Sequence, residues 1–350
     1  MNDIALSILD ALDTKCQIAP ITQTNPWLDI DAAYGVSSAI TSMRVARGEL
    51  PVGWKVGFTN RTIWDEYGVH APIWGPMYEA GIHSWNPDSE PLTLDLDGFV
   101  EPRIEPEIIF RLGSVPRSDM NDLELLGCIE AVSHGFEIVQ SVYPKWRFQA
   151  ADTVAAVALH GALLHGPFVA IAVAQRKQWL ETLADFNIDL LRDGETIDHG
   201  MAANVLGGPL HALRHFIAGI EARPMEPGLQ AGDLVSTGTL TRAFPLTAGE
   251  FWSTRLHGLP LPGMRVRCGG GAATLESLIA RASRARFNVE HPDSCPSPEA
   301  YEQAVAEGVS AKTSLARLLY GDPSRLREIQ QEITARTAAI AAGWKDRSTS

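Results

Sequence analysis

The chain has 350 residues, is 45% hydrophobic and 20% charged, and carries a formal net charge of −13. That composition is ordinary for a globular protein with a sizeable core, and its acidic balance counts against nucleic acid and anionic membrane as partners. It does not count against an anionic substrate, because a bound divalent cation inverts the local field.

Ile4, Ile8, Leu9 and Leu12 fall at helical spacing and predict a helix over 3–13, with Asp3 as its N-cap. Ala33, Val36, Ile40 and Met43 predict a second helix, with Gly48 placed as its C-terminal cap. From "VGWKVGFTN" onward, short apolar or alternating runs are broken by Gly and Pro. Strands are expected within 52–58, 100–112, 131–142, 232–246 and 250–268, with helical patches at 122–133 and 175–184. The mixture predicts an α+β protein with a curved mixed sheet, not a regular βαβ alternation.

"RCGGGAA", 267–273, reads as the end of that body. "TLESLIARASRARF" is helical, "NVEHPDSCPSPEA" is a turn-rich connector, and "DPSRLREIQQEITARTAAIAAG" is a helix. The last helix has Asp322 as N-cap, Pro323 in the first turn and Gly343 as terminator. Its stripe of Leu326, Ile329, Ile333 and Ile340 is expected to pack on the chain's own body in preference to another subunit. The expected division is 1–80, 81–271 and 272–350. Four dispersed cysteines, Cys16, Cys128, Cys268 and Cys295, form no CxxC motif. With no basic leader and no run of about 18 apolar residues, a cytoplasmic location is expected.

The chemistry concentrates in four stretches. In "VEPRIEPEIIF", 100–110, Glu101, Arg103, Glu105 and Glu107 share one face of a strand. Two readings fit. Pro102 and Pro106 favour a solvated edge strand, whereas Glu105 and Glu107 could converge on a hard cation such as Mg²⁺ or Mn²⁺. Glu137 in the apolar run "SHGFEIVQS" offers a third carboxylate, which would leave open positions for a 2-oxo acid to chelate. Lys55 in "GWKVGFTN" is flanked by apolar residues, so a lowered pKa is expected if it is desolvated. In "GDLVSTGTLTRA", Thr237, Thr239 and Thr241 alternate around Gly238 and suit a substrate carboxylate.

These motifs, in this order over roughly residues 30–268, resemble the hydratase/decarboxylase branch of the fumarylacetoacetate hydrolase superfamily. The resemblance implies a mixed β-roll core, a helical N-terminal subdomain, and a helical C-terminal extension outside the match. It implies a Mg²⁺ or Mn²⁺ site at Glu105, Glu107 and Glu137, with Lys55 as the active-site lysine and Thr239 near the substrate carboxylate. Arg103 and Asp152 are further candidates for substrate binding. The implied activity is hydration of a 2-hydroxy-2,4-dienoate to a 4-hydroxy-2-oxo acid, in the breakdown of aromatic compounds. Decarboxylation of a 2-oxo-enedioate and C–C hydrolysis of an acylpyruvate are the alternatives. A homodimer or larger homo-oligomer is implied as well.

The chain also departs from the family pattern. Gln140-Ser141 follows the third carboxylate where an Asp-Ser pair is usual, and "DTVAAVALHG" keeps Asp152 and Thr153 but is otherwise apolar. A larger or more apolar substrate, or altered chemistry, fits those losses. His160 in that run is a candidate catalytic residue; the other reading is a hydrogen-bonded core histidine. The hydrolases' His–Glu lid pair has no convincing match, since His70 and Glu79 sit at loop-like spacing.

Overall fold

A computed structural model describes residues 1–61, 64, 69–224, 228–270, 275–292, 305, 308, 309, 311–313, 315, 316, 319 and 323–348. The chain opens with helices α1 (Asn2–Thr14), α2 (Ile21–Thr24) and α3 (Ile30–Ala46). α1 buries Ala5, Ile8, Leu9, Ala11 and Leu12, the face its spacing predicts. Met1 and not Asp3 occupies its N-cap; Asp3 lies in the first turn, where its charge favours the helix dipole. In α3 the cap is Asp29, whose carboxylate accepts the Ala32 N–H at 2.8 Å.

Strands β1 (Pro51–Gly57), β2 (Ile73–Tyr78), β3 (Ile82–Ser84), β4 (Leu92–Asp95) and β5 (Arg103–Leu112) follow. Next come α4 (Asp122–Gly127), β6 (Ile129–Val139), α5 (Ala150–Ala155), β7 (His160–His165), β8 (Val169–Ala170) and α6 (Arg176–Ala184). The body continues through β9 (Asn187–Arg192), β10 (Glu195–Met201), α7 (Pro209–Ala222), β11 (Leu234–Ser236), β12 (Phe244–Pro245), β13 (Phe251–His257) and β14 (Arg265–Gly269). The helix expected over 122–133 stops at Gly127 after a capping box between Asn121 and Glu124, and Ile129 begins a strand. The stretch 232–246 is mostly loop, with only β11 and β12 at its ends.

Two sheets result. The larger runs β2-β1-β11-β5-β6-β7-β3, with β12 also on β5 and β8 on β6; the smaller runs β10-β9-β13-β14-β4. Alternation along the strands decides which residues meet. Ile104, Phe136, Ile138 and Leu164 point to the back of the large sheet, where they pack with Leu190, Trp252, Met264 and Val266 of the smaller one. The intervening residues, Glu105, Glu107 and Glu137, therefore share the opposite face.

β5 is an interior strand, not the edge that its prolines suggested. β6 pairs along one side of it, and β11 and β12 cover the ends of the other. Between β11 and β12, the loop 237–243 faces Pro106, whose carbonyl accepts the Leu240 N–H at 2.9 Å. The missing Pro106 N–H points to this loop side, so no β5–β6 bond is lost.

After the body, α8 (Leu275–Glu290) packs on α9 (Pro323–Ser348). Ile279, Ala282, Ile329 and Ile333 meet Ala311 and Leu315 in a cluster separate from the main core. Ile329 and Ile333 of the α9 stripe are thus buried on α8 and not on the main body, while Leu326 and Ile340 are half-buried. The helix passes through Gly343 to Ser348 and does not stop there; Asp322, Cys295 and most of the 288–300 connector lie outside the described residues. No described helix is long and apolar enough to cross a membrane.

Candidate active site

The register of β5 against β6 builds the site. Glu105 lies directly opposite Glu137, and Glu107 is opposite Gly135, which adds no side chain to the cluster. All three glutamates offer a carboxylate oxygen within 4.8 Å of one another. Lys55 comes from β1, two strands away across β11, and its long stem brings Nζ to 3.2 Å from Glu137 and 4.0 Å from Glu105. The Lys55 and Glu137 side chains are 5% and 0% exposed, so the pair is shielded from solvent screening.

Each carboxylate is held differently. Glu107 Oε2 accepts the Gly238 N–H at 2.9 Å, while its buried Oε1 has no partner among the described residues. Glu137 Oε1 receives Lys55 and His160, and its Oε2 accepts the Ser236 hydroxyl at 3.3 Å. Gly238 is required where it stands: φ is +98°, and a Cβ would lie 1.8 Å from Thr59 Oγ1.

The electrostatics follow from crowding charge in a dry place. Burial first, then the neighbouring Glu137 and Glu105, raise Glu107 well above the carboxylate range. Burial also pushes Glu105 up to about 7. For Glu137, burial opposes ionisation but Lys55 and His160 outweigh it, and its pKa is lowered. Lys55 does not have the expected lowered pKa. Burial pulls it down, but the three glutamates around it win and raise it. In the metal-free protein Lys55 is held as an ammonium, and the Glu107 Oε1 oxygen has no hydrogen-bond partner among the described residues. Three convergent carboxylates, one with an orphaned buried oxygen, fit a hard divalent cation.

His160 reaches Glu137 through a bulge. Ile138 pairs with Ala162, yet Val139 pairs with His160, so one residue of β7 is skipped and His160 turns to the Glu137 face. Its Nδ1 is 3.1 Å from Glu137 Oε1. The three residues before it, Val157, Ala158 and Leu159, all have left-handed φ of 50°, 55° and 62°. Such backbone is costly for residues with a Cβ, and it stands here at the edge of the site. Gly75 permits the close approach, since a Cβ there would lie 2.4 Å from the Val157 carbonyl oxygen.

A cavity of about 400 Å³ opens above the cluster, lined by Lys55, Glu105, Arg103, Thr239, Thr241 and Asn60 on its polar side. Phe58, Ile73, Val139, Trp146, Phe148 and Leu159 form an apolar wall. His160 is not in that lining. It borders a smaller cavity of about 80 Å³ with Gln140, Arg44 and Tyr78, so it bears on the site through Glu137. Gln140 is structural, accepting the Val100 N–H at 3.2 Å and donating to the His160 carbonyl at 3.5 Å.

Asp152 has a different place from the one its motif suggested. It is fully buried, and its carboxylate takes the Thr22 N–H, the Thr22 hydroxyl and the Gln149 N–H at 2.7–2.9 Å, pinning α5 to α2. The aromatic wall was not foreseen from sequence. His70 and Glu79 are both exposed.

No family model matches the chain. It is 29% identical to 2-keto-4-pentenoate hydratase of Paraburkholderia xenovorans over 259 residues, covering 74% of this chain and 91% of that protein. It is 29% identical to 4-oxalocrotonate decarboxylase of a Pseudomonas species over 241 residues, covering 69% and 88%. Among solved structures it resembles 4-oxalocrotonate decarboxylase from Pseudomonas putida, complexed with magnesium and adipate, with a TM-score of 0.68. That match covers 76% of this chain and 96% of the other at 23% identity, a likeness of fold.

Proposed function

We propose that this chain is a divergent member of the hydratase/decarboxylase branch of the fumarylacetoacetate hydrolase superfamily, a reading its 29% identity to a hydratase and to a decarboxylase supports, and that it is a metal-dependent hydro-lyase. Its substrate is a 2-hydroxy-2,4-dienoate and its product a 4-hydroxy-2-oxo acid, a reaction of aromatic-compound breakdown. The observation that carries the reading is the convergence of Glu105, Glu107 and Glu137 beside a buried lysine, a cluster that Glu105 and Lys55 present to a cavity.

Glu105, Glu107 and Glu137 would hold Mg²⁺ or Mn²⁺, the orphaned Glu107 oxygen supplying the ligand that protein donors leave unused. When bound, such an ion supplies Lewis acidity at the substrate's 2-oxygen. The residues of the chain do the rest. Arg103, with a buried Nε lacking a partner among the described residues, and Thr239 orient the substrate carboxylate. Lys55, an ammonium within reach of the cavity, donates the proton that converts the enol to the ketone. The apolar wall excludes bulk water, so that a single water adds to the conjugated alkene. His160 positions Glu137 by holding Oε1.

The finer architecture belongs to the same reading: a β-roll core with a helical N-terminal subdomain and a helical C-terminal extension, divided near residues 80 and 271. A cytoplasmic homo-oligomer is the expected form. Decarboxylation of a 2-oxo-enedioate is the second reading, favoured by the 29% identity to the decarboxylase. The test is a panel of 2-hydroxydienoates, 2-oxo-enedioates and acylpyruvates with Mg²⁺, read by ultraviolet loss of the conjugated enol and by product analysis. A 4-hydroxy-2-oxo acid as product supports the hydratase; carbon dioxide release, or turnover of acylpyruvate alone, replaces it.

A further inference from the structure

The cavity is larger and more apolar than an unsubstituted five-carbon dienoate requires. At about 30 Å³ of liquid volume per water, 400 Å³ has room for roughly thirteen waters. A small dienoate anchored over Glu105 would leave several of them against Phe58, Trp146 and Phe148, which offer water little to bond.

That wall is held in place. Trp146 Nε1 donates to the Glu101 carbonyl at 3.0 Å, and the Arg103 guanidinium lies 4.1 Å from its ring centroid. Trp146 and Phe148 contact each other with centroids 6.0 Å apart, and Tyr143 meets Phe148 at 6.1 Å. The Phe58 backbone is held as well, its carbonyl accepting Trp64 Nε1 at 2.8 Å. Aromatic side chains anchored this way are shaped for a planar apolar group.

Charge argues against an anionic tail. Of the two arginines in the lining, Arg242 is already paired with Asp198 through Nε at 3.1 Å and through its backbone N–H. Arg103, two residues before Glu105 on the same strand face, is placed for the carboxylate at the metal end. Each arginine thus already has an anion to serve, Asp198 for Arg242 and the substrate carboxylate for Arg103.

We propose that the substrate carries an aryl or comparably bulky apolar substituent at the end of its dienoate, seated against Phe58, Trp146 and Phe148. The proposal rests on the lyase reading above and names the substrate class of that site.

The test compares stable 2-oxo acids binding to the Mg²⁺-loaded protein by isothermal titration calorimetry. 2-Oxopentanoate presents the head group alone, 2-oxo-5-phenylpentanoate adds the aryl tail, and 2-oxohexanedioate adds an anionic one. The aryl ligand is expected to bind at least about tenfold more tightly than 2-oxopentanoate, as apolar pockets discriminate by single methylenes on that scale. It is also expected to show the more negative heat-capacity change. Phe148→Ala, or the milder Phe148→Leu if the first is unstable, should shrink that ratio. Equal or weaker binding of the aryl ligand, or tighter binding of 2-oxohexanedioate, overturns the proposal. Absence of any metal-dependent binding by 2-oxopentanoate refutes the lyase reading itself, and the proposal with it.

Discussion

Glu107→Gln separates the stability of the site from its affinity for metal. In the metal-free protein, burial and two neighbouring carboxylates raise Glu107 well above the carboxylate range and so favour its neutral form. Glutamine then replaces a neutral carboxyl with an amide of the same shape. Its oxygen still accepts the Gly238 N–H, and its NH₂ takes the place of the oxygen that has no partner. Stability without metal should therefore change by less than about 1 kcal/mol. Metal binding loses one of three anionic ligands. Outer-shell losses alone cost up to about 100-fold in affinity, so a ligand should cost at least that, about 2.8 kcal/mol at 1.4 per tenfold. With Mg²⁺ at 100 times the wild-type Kd, the wild type gains about 2.7 kcal/mol of stability and the variant only about 0.4. Thermal unfolding of both proteins with and without MgCl₂ reads the difference. A metal-free variant destabilised by more than about 3 kcal/mol, or one that keeps the wild-type response to Mg²⁺, refutes the reasoning.

Lys55→Met should lower kcat by about 10² to 10⁴, and should destabilise the metal-free protein by about 3–5 kcal/mol by stranding Glu137; steady-state kinetics and urea midpoints check the two. His160→Ala removes the Nδ1 contact to Glu137 and should weaken Mg²⁺ binding by about 10- to 100-fold, measured by calorimetry. Burial pushes Glu105 up to about 7, and a cation must displace any proton it holds, so affinity should fall as pH drops through about 7. Calorimetry in buffers of different ionisation enthalpy should show protons released on binding near neutral pH. Gly238→Ala combines a positive φ with a Cβ 1.8 Å from Thr59 Oγ1, and should cost at least about 3 kcal/mol in a denaturant titration.

The carboxylate cluster was legible because strand alternation is a two-residue code: Glu105 and Glu107 had to share a face, and Glu137 stood out in an apolar run. Which strand pairs with which is not in that code. The β5–β6 register and the β7 bulge, set by packing across the sheet, decide that Glu105 meets Glu137 and that His160 turns towards it. Lys55 shows the limit of local reading. Its apolar neighbours argue for a depressed pKa, and only the distant glutamates reverse the sign. Asp152 followed the family motif into the substrate pocket, but its partner Thr22 is 130 residues away. α7 is legible too: "PLHALRHFIAGIEA" carries the signal, with Pro209 at its start and Leu210, Leu213, Phe216, Ile217 and Ile220 on one buried face. The aromatic wall comes from segments far apart in sequence, so no local pattern announces it.

The central claim is that Glu105, Glu107 and Glu137 hold a cation on which 2-hydroxydienoate hydration depends. The direct measurement strips the protein with a chelator and follows enol absorbance of a 2-hydroxy-2,4-dienoate before and after Mg²⁺ is returned. The account predicts no turnover when stripped, recovery on reloading with formation of a 4-hydroxy-2-oxo acid, and no recovery in Glu107→Gln at the same Mg²⁺ concentration. Turnover that survives stripping, or a reloaded wild-type protein that leaves every dienoate untouched, would contradict it.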